Sequence, residues 1–289
     1  MAGPRASVVV PVYQAERHVE ETLRSVLAQT YADLEVVVLD NACTDATPHI
    51  LARYADDPRL RVVRNATVLP LAENWNAAVS LATGDLVKVV CADDLVHPDI
   101  VARQVAAFEA DPGLALVSCR RHIVSEDTRV IASDRGLMGL TGRHSGRETV
   151  RRVVRNGGNP IGEPGCVMFR RVDFDSTGGF DASLVFPMDI DMWVRLLKFG
   201  DFHGLPDSLA AFRAGTGSIS AGVTAAMYAD QRRLTDRLGS DPFWQVDRTS
   251  RLLGRAGNVS SQLRHRALFL ASARANRRFG AGRELDWSL

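Results

Sequence analysis

Two adjacent carboxylates, Asp93 and Asp94, follow the apolar run Leu86-Val87-Lys88-Val89-Val90-Cys91-Ala92 and precede Leu95-Val96-His97-Pro98. An apolar run of that kind reads as a buried strand, so the pair stands at a strand's carboxyl end, where open α/β sheets bind their ligands. Paired carboxylates in such a crevice are costly unless they meet a cation, and a hard divalent ion carrying a diphosphate is the natural partner. The alternative is that they cap a helix starting near His97-Pro98. A second acid, Asp40, closes the run Val36-Val37-Val38-Leu39 and is followed by Asn41-Ala42-Cys43-Thr44-Asp45. Acceptor oxygens on Asp40 or Asn41 at a strand tip suit the imide N–H of uracil or thymine. An Asx-turn and helix cap on Asp40 or Asp45 is the competing reading. Phospho-aspartate chemistry is excluded, because it needs a second Asp two positions after the first and Ala42 stands there.

The elements that must position these residues alternate. Residues 6–13, 34–40, 60–64, 86–91 and 114–119 read as strands, and residues 16–27, 48–54, 73–82 and 100–110 as helices. Such alternation implies a parallel sheet with helices on both faces and right-handed crossovers. The pattern loosens over residues 125–164, where a lid or acceptor-facing insertion is expected. A strand over 165–169, the turn Gly178-Gly179, a helix over 189–199 and a short strand over 209–213 follow. From residue 221 the chain reads as helical, with Leu252, Leu253, Leu263, Leu268, Phe269 and Leu270 available for packing.

Composition excludes more than it selects. With 289 residues, 46% hydrophobic and 24% charged, the chain suits one large soluble domain or two smaller ones. A formal net charge of +1 offers no electrostatic case for nucleic acid, although Lys88 and Lys198 are the only lysines among 35 basic residues. Cys43, Cys91, Cys119 and Cys166 are too widely spaced for a zinc pattern or a disulfide framework. A reducing cytoplasm is the expected compartment, since the amino terminus is neither a signal peptide nor a membrane span.

Taken together, Pro11-Val12-Tyr13, Gln29-Thr30-Tyr31, Asp40 to Asp45, Ala82-Thr83-Gly84-Asp85 and Ala92-Asp93-Asp94 stand in the order and spacing of the family 2 glycosyltransferases. The chain resembles that family over residues 7–220. The resemblance implies an α/β GT-A fold with a Rossmann-like, mostly parallel central sheet, followed by a C-terminal helical extension. It also implies a nucleotide-diphosphate sugar donor, UDP or dTDP, a Mn²⁺ or Mg²⁺ ion, and inversion at the anomeric carbon. The expected division is a catalytic domain over 1–220, with a donor half over 1–120 and an acceptor half over 121–220, then the extension over 221–289.

Residue by residue, the resemblance places Pro11 and Tyr13 beside the nucleoside and Asn41 where many members carry a pyrimidine-reading Asp. Asn76 matches a recurring Asn on the helix before the fourth strand. Asp94 matches the direct metal ligand and Asp93 a carboxylate nearer the ribose or sugar. Gly178-Gly179-Phe180-Asp181 and Met188-Asp189-Ile190-Asp191-Met192-Trp193-Val194-Arg195 resemble the acceptor-side segment. Asp189 takes the place of the general base, with Asp191 as its rival; Met188 stands where members usually have Glu. Arg213, in Leu209-Ala210-Ala211-Phe212-Arg213, is expected either to approach the diphosphate or to pair with a structural carboxylate. Trp75, Trp193 and Trp244 have core packing as their default.

The acceptor is expected to be a hydroxyl of a glycan, a lipid-linked sugar or a small metabolite. A nucleotidyltransferase would need an early Gly-rich loop with an Arg, and Gln14-Ala15-Glu16 stands there instead. A non-catalytic nucleotide-sugar-binding scaffold is the remaining rival. The helical extension is expected to support the acceptor side or a homodimer contact, because Glu284 and Asp286 follow its dispersed basic residues. Peripheral attachment of the Arg-rich stretch 264–278 to a membrane is the alternative.

Overall fold

The computed structural model describes residues 5–215, 219–222, 224–277 and 283–287. Position 278 of the basic stretch lies outside them. Every residue of β1 (Ala6–Val12) and β2 (Leu34–Asp40) is buried, as expected of strands covered on both faces. Their valines pair in parallel register, Val8 against Val36 and Val10 against Val38. Helix α1 (Val19–Leu27) crosses between them and buries Val19, Leu23 and Val26 on one face. After α2 (Thr47–Ala52), β3 (Leu60–Arg64) and α3 (Leu71–Ser80), β4 (Leu86–Val89) inserts on the other side of β1, giving the parallel run β3-β2-β1-β4.

Beyond β4 the sheet changes character. β5 (Leu95–Val96) and α4 (Ile100–Ala110) lead to β6 (Leu114–Val124), which turns back as β7 (Arg129–Arg135). β8 (Gly142–His144), α5 (Gly146–Asn156), β9 (Met168–Arg170), α6 (Arg171–Thr177), α7 (Met188–Leu196) and β10 (Asp201–Arg213) complete the central body. β9 lies antiparallel between β4 and β6, while β10 runs parallel to β6 and antiparallel to β5 and β8. The sheet is therefore parallel from β3 to β4 and mixed beyond it. The span 125–164, expected as a loose insertion, contributes β7 and β8 to the sheet and a capped helix: Ser145 accepts from Glu148 N and Gly157 closes α5 at φ +65°.

At the amino ends of the strands, Glu35 accepts hydrogen bonds from Ser7 Oγ (2.5 Å), Thr83 N (2.5 Å) and Thr83 Oγ1 (2.9 Å). A Cβ on Gly84 would lie 2.6 Å from Ser7 Oγ and 2.7 Å from the Arg5 carbonyl, so only glycine fits there. The segment Ala82-Thr83-Gly84-Asp85 thus locks the sheet at the end opposite the ligand crevice. After β10, α8 (Ala225–Ser240) and α9 (Arg248–Asn276) pack on α5, and β11 (Arg283–Glu284) adds an edge strand to β7. No helix among the described residues is long and apolar enough to cross a membrane.

Candidate active site

The carboxyl ends of β1, β2 and β4 open onto one crevice. At the β1 tip Pro11 is buried and Tyr13 is 54% exposed, with a ring free to meet a ligand. Gln14 follows at φ +48° and ties this tip to the next, donating to Thr44 Oγ1 (2.9 Å) and accepting from Thr44 N (2.9 Å). The β2 tip is a closed polar knot. Asp40 accepts from Cys43 N (2.8 Å) and pairs with Arg64, which also donates to the Cys43 carbonyl. Asn41 donates to the Leu69 carbonyl (2.9 Å) and accepts from Leu69 N (2.8 Å) and Asn65 Nδ2 (2.8 Å).

Asp40 thus builds an Asx-type turn. Asn41, 3% exposed, has both lone pairs of its oxygen in use and holds the 65–69 loop. Asn76 is likewise a latch: it accepts from Phe180 N (2.7 Å) and donates to the Phe180 carbonyl (3.0 Å), joining α3 to the acceptor half.

The Asp93–Asp94 loop is built differently. Asp94 is 3% exposed, and one of its oxygens accepts from Arg213 N (2.9 Å). α4 begins only at Ile100 with Asp99 at its N-cap position, so the pair does not cap a helix. Carboxylate oxygens of Asp93 and Asp94 and Cys91 Sγ lie within 4.8 Å of one another, a spacing that fits a single metal ion. Burial raises the pKa of Asp93; burial and then the Asp93 charge raise that of Asp94 well above the carboxylate range. Burial, followed by the charges of Asp94, Asp93, Asp189 and Glu163, raises that of Cys91 too, so the two carboxylates are the readier donors. Hard oxygen donors fit Mn²⁺ or Mg²⁺.

Arg213 holds this loop from behind. Its guanidinium, 1% exposed, donates to the carbonyls of Asp93 (2.8 Å), Ser125 (3.2 Å) and Glu126 (2.9 Å) and pairs with Glu21 (2.7 Å). Of the two expected roles, pairing with a structural carboxylate is the one the geometry realises, at Glu21.

Across the crevice, Asp189 sits in the first turn of α7, where it accepts from Asn159 Nδ2 (2.8 Å) and from Ile190 N (2.7 Å). Burial pushes its pKa up to about 7, against the lowering effect of those donors. Asp191, its rival, is 3% exposed and paired with both Arg195 and Arg237. Trp193 is buried and donates to the Gly162 carbonyl (3.1 Å), holding the loop that carries Asn159 and Glu163. Trp244 is buried and Trp75 packs edge-on against Phe180.

Sequence reasoning missed Asn159 and Glu163. The Glu163 charge helps to raise both Asp94 and Asp189, and Glu163 is paired with Arg121. Both lie in Asn159-Pro160-Ile161-Gly162-Glu163-Pro164-Gly165, where no periodicity marks them. The available signal was polar residues amid Gly and Pro just before a core strand.

A parallel sheet with paired carboxylates at its strand ends is the frame of a nucleotide-sugar transferase. The chain belongs to glycosyl transferase family 2, whose family model matches residues 7–178, and it is a glycosyltransferase. It is 31% identical over 250 residues to an uncharacterized protein of Mycobacterium tuberculosis, covering 84% of this chain and 78% of that protein. Among solved structures it resembles S. aureus TarS 1-349 in complex with UDP-GlcNAc, with TM-score 0.63, 19% identity, and coverage of 82% of this chain and 67% of that one. It also resembles the mannosyltransferase PcManGT of Pyrobaculum calidifontis in complex with GDP-Man and Mn²⁺, with TM-score 0.60, 22% identity, and coverage of 97% and 82%. Both likenesses show the GT-A fold.

Proposed function

We propose that this glycosyltransferase is metal-dependent and inverting, and that it moves a sugar from a UDP- or dTDP-sugar to a hydroxyl acceptor. The observation that carries this reading is an oxygen cluster at Asp93–Asp94 with a further carboxyl, Asp189, close enough that their charges act together on Cys91. One base and one leaving-group site make a single displacement. Asp189 as a carboxylate removes the acceptor's hydroxyl proton while the new oxygen–carbon bond forms at the anomeric centre. The bond to the nucleoside diphosphate breaks on the opposite face, and its electron pair leaves with the diphosphate.

Asp94 would hold Mn²⁺ or Mg²⁺, with Asp93 nearer the ribose or sugar; when bound, the ion offsets charge on the departing diphosphate. Binding of GDP-Man with Mn²⁺ by PcManGT and of UDP-GlcNAc by TarS supports such a site. Pro11 and exposed Tyr13 would border the nucleoside, opposite the 65–69 loop that Asn41 secures. In this reading residues 1–220 form the catalytic domain, donor half first, and 221–289 support the acceptor side. The test is a thermal-shift panel of nucleotide sugars with and without Mn²⁺, followed by transfer and donor hydrolysis assays on the best binder. Metal-dependent stabilisation by a pyrimidine nucleotide sugar and its turnover are expected; binding with neither transfer nor hydrolysis would favour the scaffold.

A further inference from the structure

Helix α9 is built inside out. Its buried face carries Ser250, Gly254, Asn258 and Ser272, and a Cβ on Gly254 would lie 2.5 Å from the Val154 carbonyl, so α9 meets α5 backbone to backbone. The large apolar side chains point the other way: Leu252, Val259, Leu263 and Leu270 are 64%, 59%, 60% and 62% exposed. At helical spacing these four fall on one line along the outer surface. A folded chain gains nothing from such a ridge in water, and contiguous exposed ridges mark interaction surfaces.

Charge selects the occupant. α9 carries six arginines, Arg248, Arg251, Arg255, Arg264, Arg266 and Arg274, and no Asp or Glu. None of the six forms an ion pair among the described residues. Arg248, Arg255 and Arg266 flank the ridge at helical spacing. A second copy docked ridge to ridge would set arginines against arginines with no acid on either helix. Glu284 does not relieve this, because it lies on β11 and pairs with Arg129. An apolar stripe edged by unpaired cations matches a bilayer with anionic headgroups, which takes up leucine side chains and counters the guanidinium charge.

We propose that α9 is an interfacial helix that docks this chain on an anionic lipid surface, lying in the plane of the headgroups. The docking also presents to the bilayer the cleft of about 350 Å³ lined by Tyr228, His265, Arg266, Phe269 and Leu270. That cleft adjoins Phe186, whose ring meets Tyr228 and His265 edge-on and which lies three residues before Asp189.

The test is co-sedimentation of the full chain with vesicles of phosphatidylcholine alone and of phosphatidylcholine with phosphatidylglycerol, with light scattering on the free protein. Wild type should bind the anionic vesicles and not the neutral ones, and salt should weaken the binding. Arg255→Gln and Arg248→Gln should each weaken it roughly fivefold, and Leu252→Ser with Leu263→Ser should abolish it while leaving the thermal melt unchanged. Equal binding to both vesicle types overturns the proposal. So does absence of binding to anionic vesicles, whether the chain is then a monomer or a dimer that the same serines dissociate.

Discussion

The two ends of one sheet treat buried acids in opposite ways. At the amino ends, burial alone would raise the Glu35 pKa, but hydrogen bonds from Ser7 and Thr83 outweigh it and bring the group below its ordinary value. At the carboxyl ends, burial dominates at Asp94 and Asp189, and both rise. The difference is donor supply. Glu35 has three short donors, whereas Asp94 has a single backbone N–H and a second carboxylate beside it. A satisfied buried acid is architecture; an unsatisfied one awaits a ligand. The same rule separates Asp40, Asn41, Asn76 and Asp191, whose partners are all in place, from Asp93 and Asp94; Asp189 has donors in Asn159 and Ile190, yet burial outweighs them.

Removing an unsatisfied acid should therefore stop the chemistry, and removing a satisfied one should loosen the fold. The largest effect is expected for Asp94→Ala, which should abolish metal-stimulated transfer; an unchanged rate and Mn²⁺ dependence would remove Asp94 from the site. Next comes pH. Asp189 accepts a proton only as a carboxylate, so with its pKa at about 7 the rate should fall with pH below neutrality, by about tenfold per unit, and level off above. Bound cation and diphosphate shift this limb without inverting it; a rate that climbs on acidification would contradict the assignment.

Stability should respond to the same acids. Their folded-state pKa values lie above the unfolded ones, so the contribution to stability is present below the ordinary carboxylate range and is lost as pH rises through the raised values. The metal-free protein should melt at lower temperature as pH climbs from 4 to about 7, and Mn²⁺ should reverse this; a melt insensitive to both would mean that the acids are already compensated. The smallest effects belong to the latches. Asn76→Ala should lower stability by about 1–3 kcal/mol through the unpaired Phe180 backbone, and Asn41→Ala by a similar amount with a secondary loss of donor affinity. If Asn41→Ala leaves stability intact and removes pyrimidine binding in calorimetry, the amide reads the base after all.

How much of this was legible in the sequence follows from the same physics. β1 and β2 announce themselves because continuous apolar or β-branched runs admit few alternatives. The thirteen-residue β10 reads only from position 209, since Asp201, His203, Gly204, Pro206 and Asp207 hide a strand whose regularity comes from pairing with β6. α6 escaped notice because Phe174 alone is buried. Asp94 and Asp189 could be picked out as candidates from their neighbours in the chain. Whether Asn41 or Arg213 faces a ligand could not, because that depends on Leu69, Asn65 and Glu21, which are distant in sequence. The leucines of α9 read as core material, and only the fold shows them turned outward.

The central claim is that Asp189 is the base and the donor side stands without it. Asp189→Asn keeps size and hydrogen-bonding shape while losing the ability to take a proton, so donor affinity and single-turnover transfer, measured on the same preparation, separate binding from chemistry. Donor affinity should stay close to wild type and transfer should slow by roughly a hundredfold or more. Wild-type transfer in Asp189→Asn, with loss in Asp191→Asn, would contradict that claim.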